Sequence, residues 1–195
     1  MTDGSAATRD WGRWLHLLPI VIFTLLALLF LFRLYSGDPA WLPSPLIDKR
    51  APEFQLPGFQ GAGPGLSTGN LTRGEVSVVN FWATWCTACP QEHPFLTRMK
   101  QQSGVRLYGI ANKDQPVKVK VFLGRYGNPY DAVGDDANGR VSIDWGVAKF
   151  PETFVIDGTG RVVFKQAGPI DEDVLISKIL PAIDKARKAG AAARR

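Results

Sequence analysis

Little in this 195-residue chain could build a metal cluster or a disulfide scaffold. It has two cysteines, Cys86 and Cys89, and two histidines, His16 and His93. Two cysteines cannot make a disulfide framework, and no second pair exists to complete a zinc site. The histidines are too few and too scattered for a metal cluster. Charge of one sign is also scarce where it would matter. The formal net charge is +5, yet residues 51–170 carry twelve Lys/Arg against ten Asp/Glu. No basic stripe for nucleic acid is expected there. The surplus gathers at the C-terminus, where five basic residues and no acid occur from Lys185 onward. That segment reads as a solvated tail. With 45% hydrophobic and 21% charged residues, the chain fits a globular core and not a disordered one.

A long apolar run is present instead. "WLHLLPIVIFTLLALLFLF", Trp14 to Phe32, contains no Asp, Glu, Lys or Arg. At helical rise such a run spans about 30 Å of hydrocarbon. A cleaved signal core is usually shorter, and "RLYSGDPAW" offers no small-x-small cleavage site. The expectation is a retained anchor over 14–32 with residues 1–13 inside the cell. Arg9 and Arg13 before the run favour that orientation, although Arg33 follows it. Residues 33–45, rich in Pro and small residues, read as a linker. A domain is expected over 46–189, and a basic tail over 190–195.

Within the domain, strand and helix patterns alternate. "APEFQLPGF" is an extended lead-in. "VSVVNFW", Val76 to Trp82, predicts a buried strand by its β-branched and aromatic density. Helix follows from Thr87 to about Gln102. "VRLYGIA", Val105 to Ala111, predicts a second strand, and Gln115 to Tyr126 a second helix. Residues 127–149 read as an irregular insert with a short helix near Val141 to Trp145. "TFVID" and "RVVFKQ" flank a tight turn as a hairpin, and 171–189 predicts a closing helix. The pattern implies a mixed-sheet α/β sandwich.

The two cysteines sit together in "NFWATWCTACPQEHP", directly after the first strand. Three residues apart at a helix start, they share a face and can close a small-ring disulfide with little backbone motion. The free N–H groups and dipole of the first turn stabilise a thiolate at the first cysteine. Cys86 is the expected nucleophile and Cys89 the resolving thiol. An inert staple here would close a tiny loop and add little stability. Helix-start C-x-x-C after a strand therefore reads as a redox couple. Trp85 would shield one side of it, and Pro94 would kink the helix. His93 reads as an inert surface histidine.

"VVNFWATWCTACPQEHP" resembles the active site of the thioredoxin superfamily. Together with "GNPYDAVGDDANGRVSIDWGVAKFPETFVIDGTGRVVFKQAG" it resembles the membrane-anchored thioredoxin-like proteins of c-type cytochrome maturation, the CcmG/DsbE family. The likeness covers roughly 46–180. It implies a thioredoxin-like α/β fold behind an N-terminal transmembrane helix, in the periplasm and held to the inner membrane. It implies a protein thiol–disulfide oxidoreductase that reduces apocytochrome c, or a thiol protein of its assembly, before haem attachment. Electrons would come from a DsbD- or CcdA-type membrane donor, and no dissociable cofactor is needed.

Carried over residue by residue, the resemblance makes Cys86 and Cys89 the redox pair. It makes Pro151 the cis proline facing the disulfide. On its own residues, "KFPETF" would be a strand-entry proline with a trans bond. Glu92 and Glu152 match acidic residues that the family places by its active site, although either alone reads as a solvated charge. Asn80 stands where thioredoxin has a buried Asp, so Glu92 or Glu152 would modulate proton transfer instead. Thr87-Ala88 lacks the proline that many relatives carry between the cysteines. Pro90 replaces a residue that is often basic. Two other readings share the fold: a general or copper-oxidase-assembly reductase of the TlpA type, and a copper metallochaperone. The latter would want C-x-x-x-C and a distant histidine.

Overall fold

The computed structural model describes residues 17–36, 44–59 and 64–192. The expected cytoplasmic segment 1–13, the first residues of the expected anchor, most of the linker and residues 193–195 lie outside the described residues. The chain forms two compact units. The first holds helix α1, Leu18–Ser36. At 1.5 Å per residue its 19 residues measure about 28 Å. Phe23, Leu25, Phe30 and Phe32 on it are exposed. The side chains described for α1 end at Arg33. Among the described residues no helix is long and apolar enough to cross a membrane.

The second unit is built on a five-stranded sheet in the order β5-β4-β3-β6-β7. Its strands are β3 Ser77–Trp82, β4 Arg106–Asn112, β5 Ala132–Asp136, β6 Glu152–Ile156 and β7 Val162–Ala167. β3, β4 and β5 run parallel, while β6 is antiparallel to β3 and β7 antiparallel to β6. A two-stranded ribbon, β1 Gln55–Leu56 with β2 Leu66–Ser67, precedes it. The lead-in is edge-like: Asp48 N–H donates to the Val162 carbonyl and Val162 N–H to the Lys49 carbonyl. This is the mixed-sheet α/β sandwich expected of the sequence.

Strand alternation divides the core into two. Val78 and Trp82 of β3 face helices α2 (Cys89–Ser103), α3 (Pro116–Tyr126) and the closing helix, through Leu96, Phe122 and Ile179. Val79 and Phe81 face the other way, onto Trp145, Phe154 and the lead-in. The closing helix, α5, is continuous over Glu172–Val174, Leu175–Ile179 and Leu180–Ala192, with a π turn in the middle stretch. Asp171 caps it by accepting the Val174 N–H at 2.8 Å.

The insert at 127–149 is more ordered than the sequence suggests. It supplies edge strand β5, paired with β4 from Tyr108↔Ala132 to Asn112↔Asp136, and the short helix α4, Arg140–Asp144. "AVGDD" is a poor strand by composition, but its acids are used by the fold. Buried Asp136 accepts from the N–H groups of Val141 and Ser142 and so starts α4. Gly134 admits Leu56 so closely that a Cβ would lie 2.9 Å from its Cδ1.

Candidate active site

β3 carries the chain into the site. After Trp82 the backbone turns through Thr84 and Trp85 to Cys86, and α2 begins at Cys89. Pro90 lies in the first turn of α2, where no N–H is needed, and the helix continues through Pro94. Cys86 and Cys89 are joined as a disulfide. Cys86 is 6% exposed and Cys89 fully covered, so only the first sulfur lies near the surface. The Cys89 N–H donates to Cys86 Sγ at 3.1 Å. A thiolate formed at Cys86 would keep that donor, with the positive end of the α2 dipole behind it.

Two contacts fix the turn before Cys86. Asp114 accepts from the Thr84 N–H at 2.5 Å and from its hydroxyl at 2.7 Å. Trp85 Nε1–H donates to the Asn112 carbonyl, and its half-exposed ring meets Phe150 edge-on at 5.3 Å. Trp85 thus leans on the neighbouring loop. That loop holds Pro151, whose bond to Phe150 is cis as the resemblance implied. The pairing Phe81↔Glu152 sets Pro151 beside the C-terminal end of β3, where the cysteine turn begins.

The two glutamates are not solvated charges. Both are fully buried, and they occupy opposite faces of the sheet. Glu92, one helical turn beyond Cys89, points into the core on the α2 side. Its Oε1 accepts from Asn80 Nδ2 at 2.9 Å and its Oε2 from the Ile170 N–H at 3.2 Å. Burial drives its pKa from 4.5 up to about 8, and those two donors hold it back only in part. Glu152 starts β6 on the other face. Its Oε1 accepts from the Ala148 N–H, and Lys165 Nζ lies 2.8 Å from Oε2. That contact is ionic and not a well-aligned hydrogen bond. Lys165 also donates to the Gly146 carbonyl at 3.0 Å. Glu92 therefore stands behind the cysteines, whereas Glu152 holds the loop that carries Pro151.

His93 is not on the surface. It is 1% exposed and ringed by Trp82, Phe122, Tyr126 and Tyr130 at 5.0–6.4 Å. Burial lowers its pKa to about 4, offset slightly by the Cys89 carbonyl one turn back. Neither ring nitrogen has a hydrogen bond of normal geometry. It is a neutral core histidine. Among the described residues no group of three or more Cys, His, Asp or Glu could hold a metal.

Four residues of the site were not expected from sequence: Asp114, Tyr130, Thr153 and Lys165. Asp114 had a signal, an acid just ahead of the Pro116 helix start. Tyr130, Thr153 and Lys165 gain their roles from partners 50, 73 and 13 positions away in the chain. No local pattern reports such pairings.

The Redoxin family profile matches residues 47–180. The thiol:disulfide interchange protein DsbE of Allochromatium vinosum is 42% identical over 167 residues, covering 86% of this chain and 91% of that one. The thiol:disulfide interchange protein HelX of Rhodobacter capsulatus is 41% identical over 150 residues, covering 77% and 84%. The crystal structure of a DsbE-type thiol:disulfide interchange protein from Chlorobium tepidum superposes with a TM-score of 0.58 at 28% identity. It covers 69% of this chain and 95% of that one. A C-x-x-C couple at a helix start, the thioredoxin-like sheet around it and this extent of likeness agree: the chain belongs to the DsbE (CcmG) family of thioredoxin-fold thiol:disulfide interchange proteins.

Proposed function

We propose that this oxidoreductase reduces protein disulfides on the outer face of a membrane, and that its clients are apocytochrome c or a thiol protein of cytochrome c assembly. The observation that carries the reading is the single Cys86–Cys89 couple, with one sulfur near the surface, one covered, and a buried carboxyl one turn behind it. The reduced protein starts with a Cys86 thiolate and a Cys89 thiol. Cys86 Sγ attacks a client disulfide, one client sulfur leaves as thiolate, and a mixed disulfide forms. The Cys89 thiol passes its proton to ionised Glu92 and attacks Cys86 Sγ. The second client sulfur leaves and both client thiolates take up protons. Two electrons have moved to the client, and this chain is left as the Cys86–Cys89 disulfide. A membrane dithiol donor of the DsbD or CcdA type would restore it.

The charge-free Trp14–Phe32 run behind Arg9 and Arg13, and the exposed apolar side chains of α1, support the outer face of the membrane. On this reading the redox domain, residues 46–189, lies in the periplasm on an inner-membrane anchor over 14–32. Extended client segments would pair with the backbone beside Pro151. The copper-carrier reading has less support, because His93 is enclosed by aromatic rings. The test is a Cys89→Ala variant expressed at native level. It should trap a mixed disulfide with a cytochrome c or one of its assembly proteins, and deletion of the gene should lower holocytochrome c unless small-molecule thiol is added. Trapping only copper-oxidase assembly proteins, with normal c-type cytochromes, would select the TlpA-type reading.

A further inference from the structure

We infer that Tyr130 and Asn80 are positioning residues for Glu92: the Tyr130 hydroxyl holds the Asn80 amide so that its N–H donors, and not its carbonyl, face the carboxylate that takes the Cys89 proton. The inference rests on the proton-acceptor reading of Glu92 given above.

Asn80 sits mid-strand on β3, fully buried, and both ends of its amide are occupied. Its Nδ2 donates to Glu92 Oε1 at 2.9 Å and to Thr153 Oγ1 at 3.0 Å. Its Oδ1 accepts from the Tyr130 hydroxyl at 2.7 Å. An amide can be turned end for end at almost no steric cost, so chemistry must choose the orientation. Turned over, the Asn80 oxygen would oppose an ionised Glu92 oxygen, a repulsion that protonation of Glu92 relieves. The orientation of Asn80 and the proton on Glu92 are thus coupled. Tyr130 selects the orientation that favours the charged carboxylate.

Tyr130 is itself held in place. Its ring stacks on Trp82 at 5.7 Å and 13°. Gly109 on β4 makes room for it: a Cβ there would meet both Tyr130 Cδ atoms at 3.1 Å and Trp82 Nε1 at 2.8 Å. Burial and the nearby Glu92 charge push the Tyr130 pKa well above 10, so its hydroxyl stays a donor at working pH. Few other groups bear on Glu92. Cys89 and His93 share its helix, and His93 is neutral above about pH 4. β3 and β6 offer uncharged Asn80 and Thr153, and the stretch before α5 offers the Ile170 N–H. The Glu152–Lys165 pair lies on the opposite sheet face from Thr153.

The test uses the reduced full chain in mild detergent with saturating oxidised glutathione. The plateau rate then reports attack of Cys89 on the Cys86–glutathione disulfide. In the unaltered protein this rate should climb through an inflection belonging to Glu92, and Glu92→Gln should abolish the inflection. Tyr130→Phe should move it up by about one pH unit, the loss of one hydrogen bond to a charged group, and slow the reaction about tenfold below it. Thr153→Val, which frees the other amide N–H, should move it the same way by less, and it serves if Tyr130→Phe does not fold. If Glu92→Gln removes the inflection but neither Tyr130→Phe nor Thr153→Val moves it, the positioning role is wrong and the role of Glu92 stands. If Glu92→Gln leaves the profile unchanged, Glu92 is not the acceptor and both fall.

Discussion

Glu92 and His93 are consecutive residues of α2, both sealed from solvent, and burial moves their protons in opposite directions. Glu92 rises from 4.5 to about 8, so the folded state keeps a proton that the unfolded chain releases. Its contribution to stability is lost as pH rises from about 4.5 to about 8. His93 falls from 6.5 to about 4, so the unfolded chain takes a proton that the fold refuses. Its contribution is lost as pH falls through that range. Between about pH 4.5 and 6.5 the two slopes oppose and stability should be nearly flat. From about 6.5 to 8 it should decline, by at most about 1.4 kcal/mol per pH unit. Urea unfolding of the full chain across pH checks this. Glu92→Gln should remove the decline at higher pH, and His93→Phe should extend that decline down to about pH 4.5. Stability rising between pH 6.5 and 8 in the unaltered protein would contradict the assignment.

Buried acid explains much of what was and was not legible in the sequence. The central strands could be read because Val78, Val79, Phe81 and Trp82 are apolar on both faces, as a covered central strand must be. The redox pair could be read because its chemistry is local: two cysteines, a helix start and the donors of one turn. β5 could not, since Asp135, Asp136 and Gly134 look like loop residues. Asp136 can be buried because the N–H groups of Val141 and Ser142 and the Ser142 hydroxyl fold onto it. Glu92 and Glu152 look like surface charges for the same reason. Their burial depends on Asn80 and Ile170 for one, and on Lys165 across a hairpin for the other.

Lys165 should be costly to remove. Its side chain is 5% exposed, and it is the cation that faces the fully buried Glu152. Lys165→Met leaves that carboxyl without its ion partner and frees the Gly146 carbonyl. A loss of about 3–5 kcal/mol is expected, as for breaking one side of a buried pair. The double variant Lys165→Met/Glu152→Gln should recover part of it. Chemical unfolding of the three proteins measures the coupling. An additive double variant would mean that the two side chains do not interact.

Asp114 should govern access to Cys86 without touching it. It fastens the turn at Thr84 by two short hydrogen bonds. Asp114→Ala removes both, costing about 1–3 kcal/mol of stability and loosening the turn that leads into Cys86. Reduced Asp114→Ala protein should therefore alkylate at Cys86 faster than the unaltered chain. Unchanged labelling, measured by mass spectrometry at matched pH, would show that the turn is held by Trp85 and the Phe150 loop instead.

The two sulfurs should remain unequal once the disulfide is reduced. Cys86 stands ahead of the α2 N-terminus, keeps the Cys89 N–H as a donor and is the one with exposed surface. Its pKa should lie below the free value of about 8.5. Cys89 is covered, Glu92 follows it by one turn of α2, and it depends on a proton acceptor to become nucleophilic. Brief alkylation of the reduced full chain near neutral pH should label Cys86 almost alone. Cys86→Ser should abolish reduction of client disulfides outright. Cys89→Ala should still attack once and then stall as a mixed disulfide. Preferential labelling of Cys89, or a stalled adduct on Cys86→Ser, would reverse the division of labour. The position of Glu92 would then favour the attacking thiol and not the resolving one.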